Sequence, residues 1–181
     1  MNKELEQWSE QVNNVHLPRW EELPDMDLYK DQVITLIEKY VGALIEDDEK
    51  ILTPSMINNY VKWKMIPAPN KKKQYNRVHF GYLIAITILK QVMTIKEVKE
   101  GILFQANLTG THRAYNFFCD EQENALKLTM SLINPKLKYN QNIGPIKEDD
   151  IALKMSALAF ANKIVASKKV KIQEESLRGE Q

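Results

Sequence analysis

Residues 78–92, VHFGYLIAITILKQV, form an almost unbroken apolar run that no fold of this chain can leave in water. The run is far short of a membrane span. Its length also favours a helix over a buried strand, although its β-branched residues would suit a strand as well. The reading is a buried helix through the core, with the rest of the chain packed around it. Hydrophobic residues make up 44% of the 181-residue chain, enough for such a core. Six glycines and seven prolines are too few for an all-β sandwich. The fold class expected is all-α.

Amphipathic stretches flank the run. Residues 2–13 place Leu5, Trp8 and Val12 at helical spacing. A linker over 17–25 carries Pro18 and Pro24, with Trp20 and Leu23 as core anchors. A long helix follows from Asp27 to about Ile45, capped by Asp25 or Asp27, with Tyr29, Val33, Leu36, Ile37, Tyr40, Val41 and Leu44 in one stripe. After an acidic turn at 46–49, Thr53 is an N-cap and Pro54 a first helical residue, opening a short helix over 53–64. Its apolar face is Met56, Ile57, Tyr60 and Val61, joined by Lys64, and Pro67 and Pro69 stop it. Thr94 and Glu97 form a capping box for a helix that ends at 107–110. A helix from Thr111 buries Ala114, Phe118, Ala125, Leu128 and Leu132. Another, from about 150, buries Ile151, Met155, Leu158, Ala161, Ile164 and Val165. The charged tail, 168–181, is expected to fray.

Charge is segregated. Between residues 51 and 96 there is no Asp or Glu, but there are eight basic residues: Lys62, Lys64, Lys71, Lys72, Lys73, Arg77, Lys90 and Lys96. The net charge of +1 less this +8 leaves −7 for the remainder. A basic module inside acidic flanks favours a polyanionic partner. The free face of the short helix offers Ser55, Asn58, Asn59 and Lys62. Asn can pair bidentately with adenine in the major groove, and Lys can reach guanine or phosphate. The loop after it supplies Lys71, Lys72, Lys73, Tyr75 and Arg77 for the adjacent backbone. The candidate DNA-binding set is therefore Ser55, Asn58, Asn59, Lys62, Lys64, Lys71, Lys72, Lys73, Tyr75 and Arg77. The alternatives are a solvated helix with a charged loop, a Tyr75 that only packs, and a module that docks an acidic protein through the same surface.

Other chemistries find little support. His16, His79 and His112 are far apart and share no ligand spacing, so no metal and no cofactor is expected. The chain has no glycine-rich phosphate loop, nucleophile elbow or obvious carboxylate pair, and the expectation is not an enzyme. The acidic runs at 47–49 and 148–150 suit helix boundaries. A single cysteine, Cys119, allows no intrachain disulfide and reads as a small buried thiol. With a polar, acidic start and no hydrophobic signal core, the expected location is cytoplasmic, with no membrane partner.

The stretch Asn59-Tyr60-Val61-Lys62-Trp63-Lys64-Met65-Ile66-Pro67 resembles the end of the second helix in MerR-type winged-helix regulators. Residues 70–77 resemble that family's wing, with Tyr75 at its aromatic position, and Thr94-Ile95-Lys96-Glu97-Val98 resembles its next capped helix. Asn58, Lys64 and Gln74 stand where that family usually has arginine, glycine and glycine. A wider likeness, over 17–165, is to a family of uncharacterised bacterial proteins defined as a domain of unknown function. It rests on Leu17-Pro18-Arg19-Trp20-Glu21-Glu22-Leu23-Pro24, on Leu28-Tyr29-Lys30-Asp31-Gln32-Val33, and on Leu52-Thr53-Pro54-Ser55-Met56-Ile57-Asn58-Asn59-Tyr60.

These resemblances imply an all-α, MerR-like winged helix-turn-helix with a small β wing and a C-terminal helical extension. Its parts would be an N-terminal helix and Pro-rich linker at 1–26, the winged domain at 27–106, a dimerisation or effector region at 107–167 and the tail. The implied function is a DNA-binding transcriptional regulator acting on duplex DNA as a homodimer. Tyr115, Phe117 and Phe118 could line a small effector pocket, but simple packing is the stronger reading.

Overall fold

A computed structural model describes residues 2–45, 51–139 and 145–179. These residues are predominantly helical, with seven α-helices and one two-stranded ladder. They form two compact units, one of residues 17–120 and one of residues 1–16 with 121–181. The acidic turn at 46–49 lies outside the described residues.

In the 17–120 unit the apolar run is helix α4, Arg77–Leu89, with α2, Lys30–Val41, and α5, Ile95–Thr109, packed on it. Phe80, Leu83, Ile84, Ile86 and Ile88 are fully buried, as a helix apolar on all sides requires. α2 buries Val33, Ile37 and Val41, while α5 buries only Val98. α3, Pro54–Lys62, packs on α2 through Ile57 and Tyr60.

Strand β1, Leu28–Tyr29, pairs antiparallel with β2, Gln74–Tyr75, placing Leu28 opposite Tyr75. This corrects the expected helix start at Asp27. The ladder takes residues 28 and 29, and the helix begins at Lys30 with the Tyr29 N–H donating to Gln32 Oε1 at 2.9 Å. Tyr29, assigned above to the buried stripe, is exposed. Its four-residue spacing from Val33 is local, whereas its strand partner lies some forty-five residues away.

The caps form where their sequence signals stand. Thr53 Oγ1 accepts from the Met56 N–H at 3.2 Å. Thr94 Oγ1 accepts from the Glu97 N–H at 3.3 Å, and Glu97 Oε2 accepts from the Thr94 N–H at 2.8 Å. Thr94→Ala is expected to lower stability by about 1 kcal/mol, read as a shift in the urea midpoint at unchanged slope.

Residues 17–23 strap across the start of α6, Thr111–Ile133. The Trp20 N–H donates to Asn116 Oδ1 at 2.8 Å, and its ring stacks on His112 and meets Tyr115 edge-on. The Tyr115 hydroxyl donates to the Pro18 carbonyl at 2.9 Å, and burial pushes that phenol far above its usual pKa. A Cβ on Gly81 would stand 3.2 Å from the Trp20 ring and 3.3 Å from the Tyr115 ring, so the close approach of these rings to α4 depends on that glycine.

The second unit holds α1, Lys3–Asn13, the later half of α6, and α7, Ile151–Gly179. Asn134 Nδ2 donates to Ser9 Oγ at 2.8 Å in its interior. Lys168 pairs with Glu4, Lys154 with Glu121 and Lys136 with Glu6. Two expectations are corrected here. The tail from 168 to 178 is helical, anchored by the buried Ile172. The buried face of α7 is Leu153, Ala157, Phe160 and Ala161, with Ile151 and Met155 exposed. On α6, Leu132 is likewise exposed. The first half of α7 carries overlapping apolar stripes one or two residues apart, and only the packed partner selects between them.

Candidate nucleic-acid interface

Burial of Ile57 and Tyr60 turns the opposite face of α3 to solvent, leaving Ser55, Asn58, Asn59 and Lys62 exposed. After the helix, Lys64 adopts φ 55°, a left-handed conformation that costs a non-glycine residue about 1–2 kcal/mol. The Met65 N–H closes back on the Tyr60 carbonyl at 2.8 Å, and Met65 and Ile66 are buried, which offsets that strain. The kink leaves the Lys64 side chain in solvent.

The three consecutive lysines sit on a tight turn tied together by Asn70. Asn70 Oδ1 accepts from the backbone N–H groups of Lys72 and Gln74, each at 2.9 Å. The Lys73 N–H donates to the Asn70 carbonyl at 2.8 Å, and the Asn70 N–H donates to Gln74 at 3.0 Å. Asn70 Nδ2 in turn donates to Asp27 Oδ2 at 2.9 Å. Lys71, Lys72 and Lys73 all stand exposed on this turn. Three adjacent like charges repel one another, and a polyanion relieves that repulsion.

Two contacts place the turn and the α3 face on one edge of the unit. Asp27 holds Asn70, while three residues on, Lys30 Nζ donates to Asn58 Oδ1 at 2.6 Å. The exposed lysines of the α3 face and the turn are Lys62, Lys71, Lys72 and Lys73, with Lys30 on Asn58 and the Asp27 carboxylate on Asn70. Lys30 was missed in the sequence reading, because nothing near it in the chain reveals that the start of α2 meets α3.

Not every expected contact residue is available. Tyr75 is a correction: it is 2% exposed, its ring meets His79 edge-on at 5.1 Å, and burial raises its phenol pKa. It belongs to the core, because β2 turns it inward opposite Leu28. Arg77 is half-buried and paired with Asp25 at 3.1 Å, so its charge is largely spent within the fold. Lys90 is directed inward, its ammonium donating to the Ile51 carbonyl at 2.8 Å, and Lys96 lies on α5.

His79 supports the turn from behind. Its Nδ1 lies 3.0 Å from the Asn76 backbone nitrogen and 2.8 Å from Asn76 Oδ1, and its Nε2 lies 3.4 Å from the Ala68 carbonyl. Burial lowers its pKa below the ordinary 6.5, against the pull of its hydrogen bonds to Ala68, Pro67 and Asn76. The unfolded chain therefore takes up a proton at higher pH than the folded one. The stability tied to His79 is complete above about pH 6.5 and is lost as pH falls from there through the folded pKa. Urea midpoints are expected to fall as pH is lowered below about 6.5, and His79→Gln to flatten that fall; an equal fall in the variant would place the titration elsewhere.

Among the described residues, no group of three or more His, Cys, Asp or Glu could hold a metal ion, and no helix is long and apolar enough to cross a membrane. Cys119 is buried beneath the strap. A family model described as a domain of unknown function (DUF1836) matches residues 18–118, almost the whole of the 17–120 unit. No curated protein and no solved structure matches the chain.

Proposed function

The chain belongs to the DUF1836 family, and we propose that it is a DNA-binding transcriptional regulator of the MerR-like winged-helix type. One observation carries this reading. The amide- and hydroxyl-bearing face of α3 and the Asn70-tied lysine turn share one edge, as the parts of a winged reader must. Ser55, Asn58, Asn59 and Lys62 enter the major groove, and Lys64, Lys71, Lys72 and Lys73 neutralise flanking phosphates. The order of α2, α3, turn, α4 and capped α5 supports the MerR-like assignment. By the same analogy the regulator is a cytoplasmic homodimer on a palindromic site, paired through residues 107–167. The test is selection of binding sites from random duplex oligonucleotides by the full chain. An enriched consensus, palindromic if the dimer reading holds, is the expected result. Absence of enrichment, together with copurification of a single acidic protein, would replace this reading with a protein-docking module.

A further inference from the structure

We infer that Lys30, by its bond to Asn58, makes guanine the base selected beneath Asn58. This rests on the DNA-reading proposal above and deepens it. An asparagine with a free amide suits adenine, since its oxygen accepts from N6 while its nitrogen donates to N7. Here the amide oxygen is already engaged: Lys30 Nζ donates to Asn58 Oδ1 at 2.6 Å. The bond orients the amide with Nδ2 turned away from the ammonium. What remains are the two N–H donors of Nδ2, the two unused N–H donors of the ammonium, and one lone pair of Oδ1 beside that ammonium.

That pair sets donors and a positive charge around the one remaining lone pair. An adenine N6 amine brought to the same oxygen would meet the ammonium, donor against donor. Guanine presents two acceptors, O6 and N7, on the same groove edge, and complements the pair. Lys30 is thus a specificity-determining residue that acts partly by orienting Asn58. Asn59, one residue on in α3, keeps the ordinary asparagine preference for adenine.

The test is site selection from a random duplex library with the full chain, Asn58→Ala and Lys30→Met. Lys30→Met keeps a stem of similar length and removes the ammonium, donor and charge together. Asn58 is exposed and Lys30 half-buried, and circular dichroism melts confirm that the variants fold. The position whose preference Asn58→Ala abolishes identifies the base pair under Asn58. Guanine is expected there with the parent chain, and Lys30→Met is expected to reduce the guanine-to-adenine ratio by roughly tenfold or more. Guanine retained undiminished in Lys30→Met overturns the inference. So does adenine in the parent chain, or DNA binding with no preference lost in Asn58→Ala, which marks Asn58 as a phosphate contact. Failure of the parent chain to bind duplex DNA at all overturns the function proposal and this inference with it.

Discussion

Replacing Lys71, Lys72 and Lys73 together with alanine is expected to weaken duplex DNA binding about equally for all sequences, and to reduce the salt dependence sharply. Each phosphate contact contributes about 0.9 to the slope of log affinity against log salt, so losing three contacts lowers the slope by roughly 3. The three side chains are exposed and Asn70 ties the turn through backbone groups, so the fold should keep its stability within about 0.5 kcal/mol. Relief of the repulsion between the lysines acts in the same direction. Fluorescence anisotropy titrations at several salt concentrations give the slope. Tyr75→Phe is the internal control: the side chain is buried against His79, so loss of its hydroxyl leaves the slope unchanged. A triple variant with the parent slope would show that the turn does not touch DNA.

Phe80→Ala is expected to cost about 3–5 kcal/mol, several times the loss expected for Thr94→Ala. The ring is fully buried on α4, the helix against which α2 and α5 both pack, and alanine would leave a cavity there. Against a typical total stability of about 5–15 kcal/mol, that loss removes a large share of what holds the unit folded. A fall in the urea midpoint measures it. Phe104→Ala on α5 is the comparison. That ring is half exposed, so its truncation should cost well under 2 kcal/mol, and equal losses at the two positions would mean that α4 is not the core helix.

The caps and the buried helix were legible in the sequence because their causes lie within a few residues. Thr53 with Pro54, and Thr94 with Glu97, satisfy backbone groups three residues away, and the run at 78–92 is apolar whichever way it faces. The outward face of α3 was legible for the same reason, since Ile57 and Tyr60 share one side of a single helix. Other features needed a partner distant in the chain. The ladder of 28–29 with 74–75 shortened the helix expected from Asp27 and turned Tyr75 inward, and the packing of the second unit chose among the stripes of α7.

The sequence alone determined that a buried helix, a capped polar helix and a lysine turn would exist, because each rests on short-range spacing and hydrogen bonding. Only the tertiary structure decided that the turn and the α3 face share an edge, that Tyr75 and Lys90 leave it, and that Lys30 joins it on Asn58. Those outcomes depend on contacts between residues tens of positions apart, and no local pattern encodes which distant partner a side chain will meet.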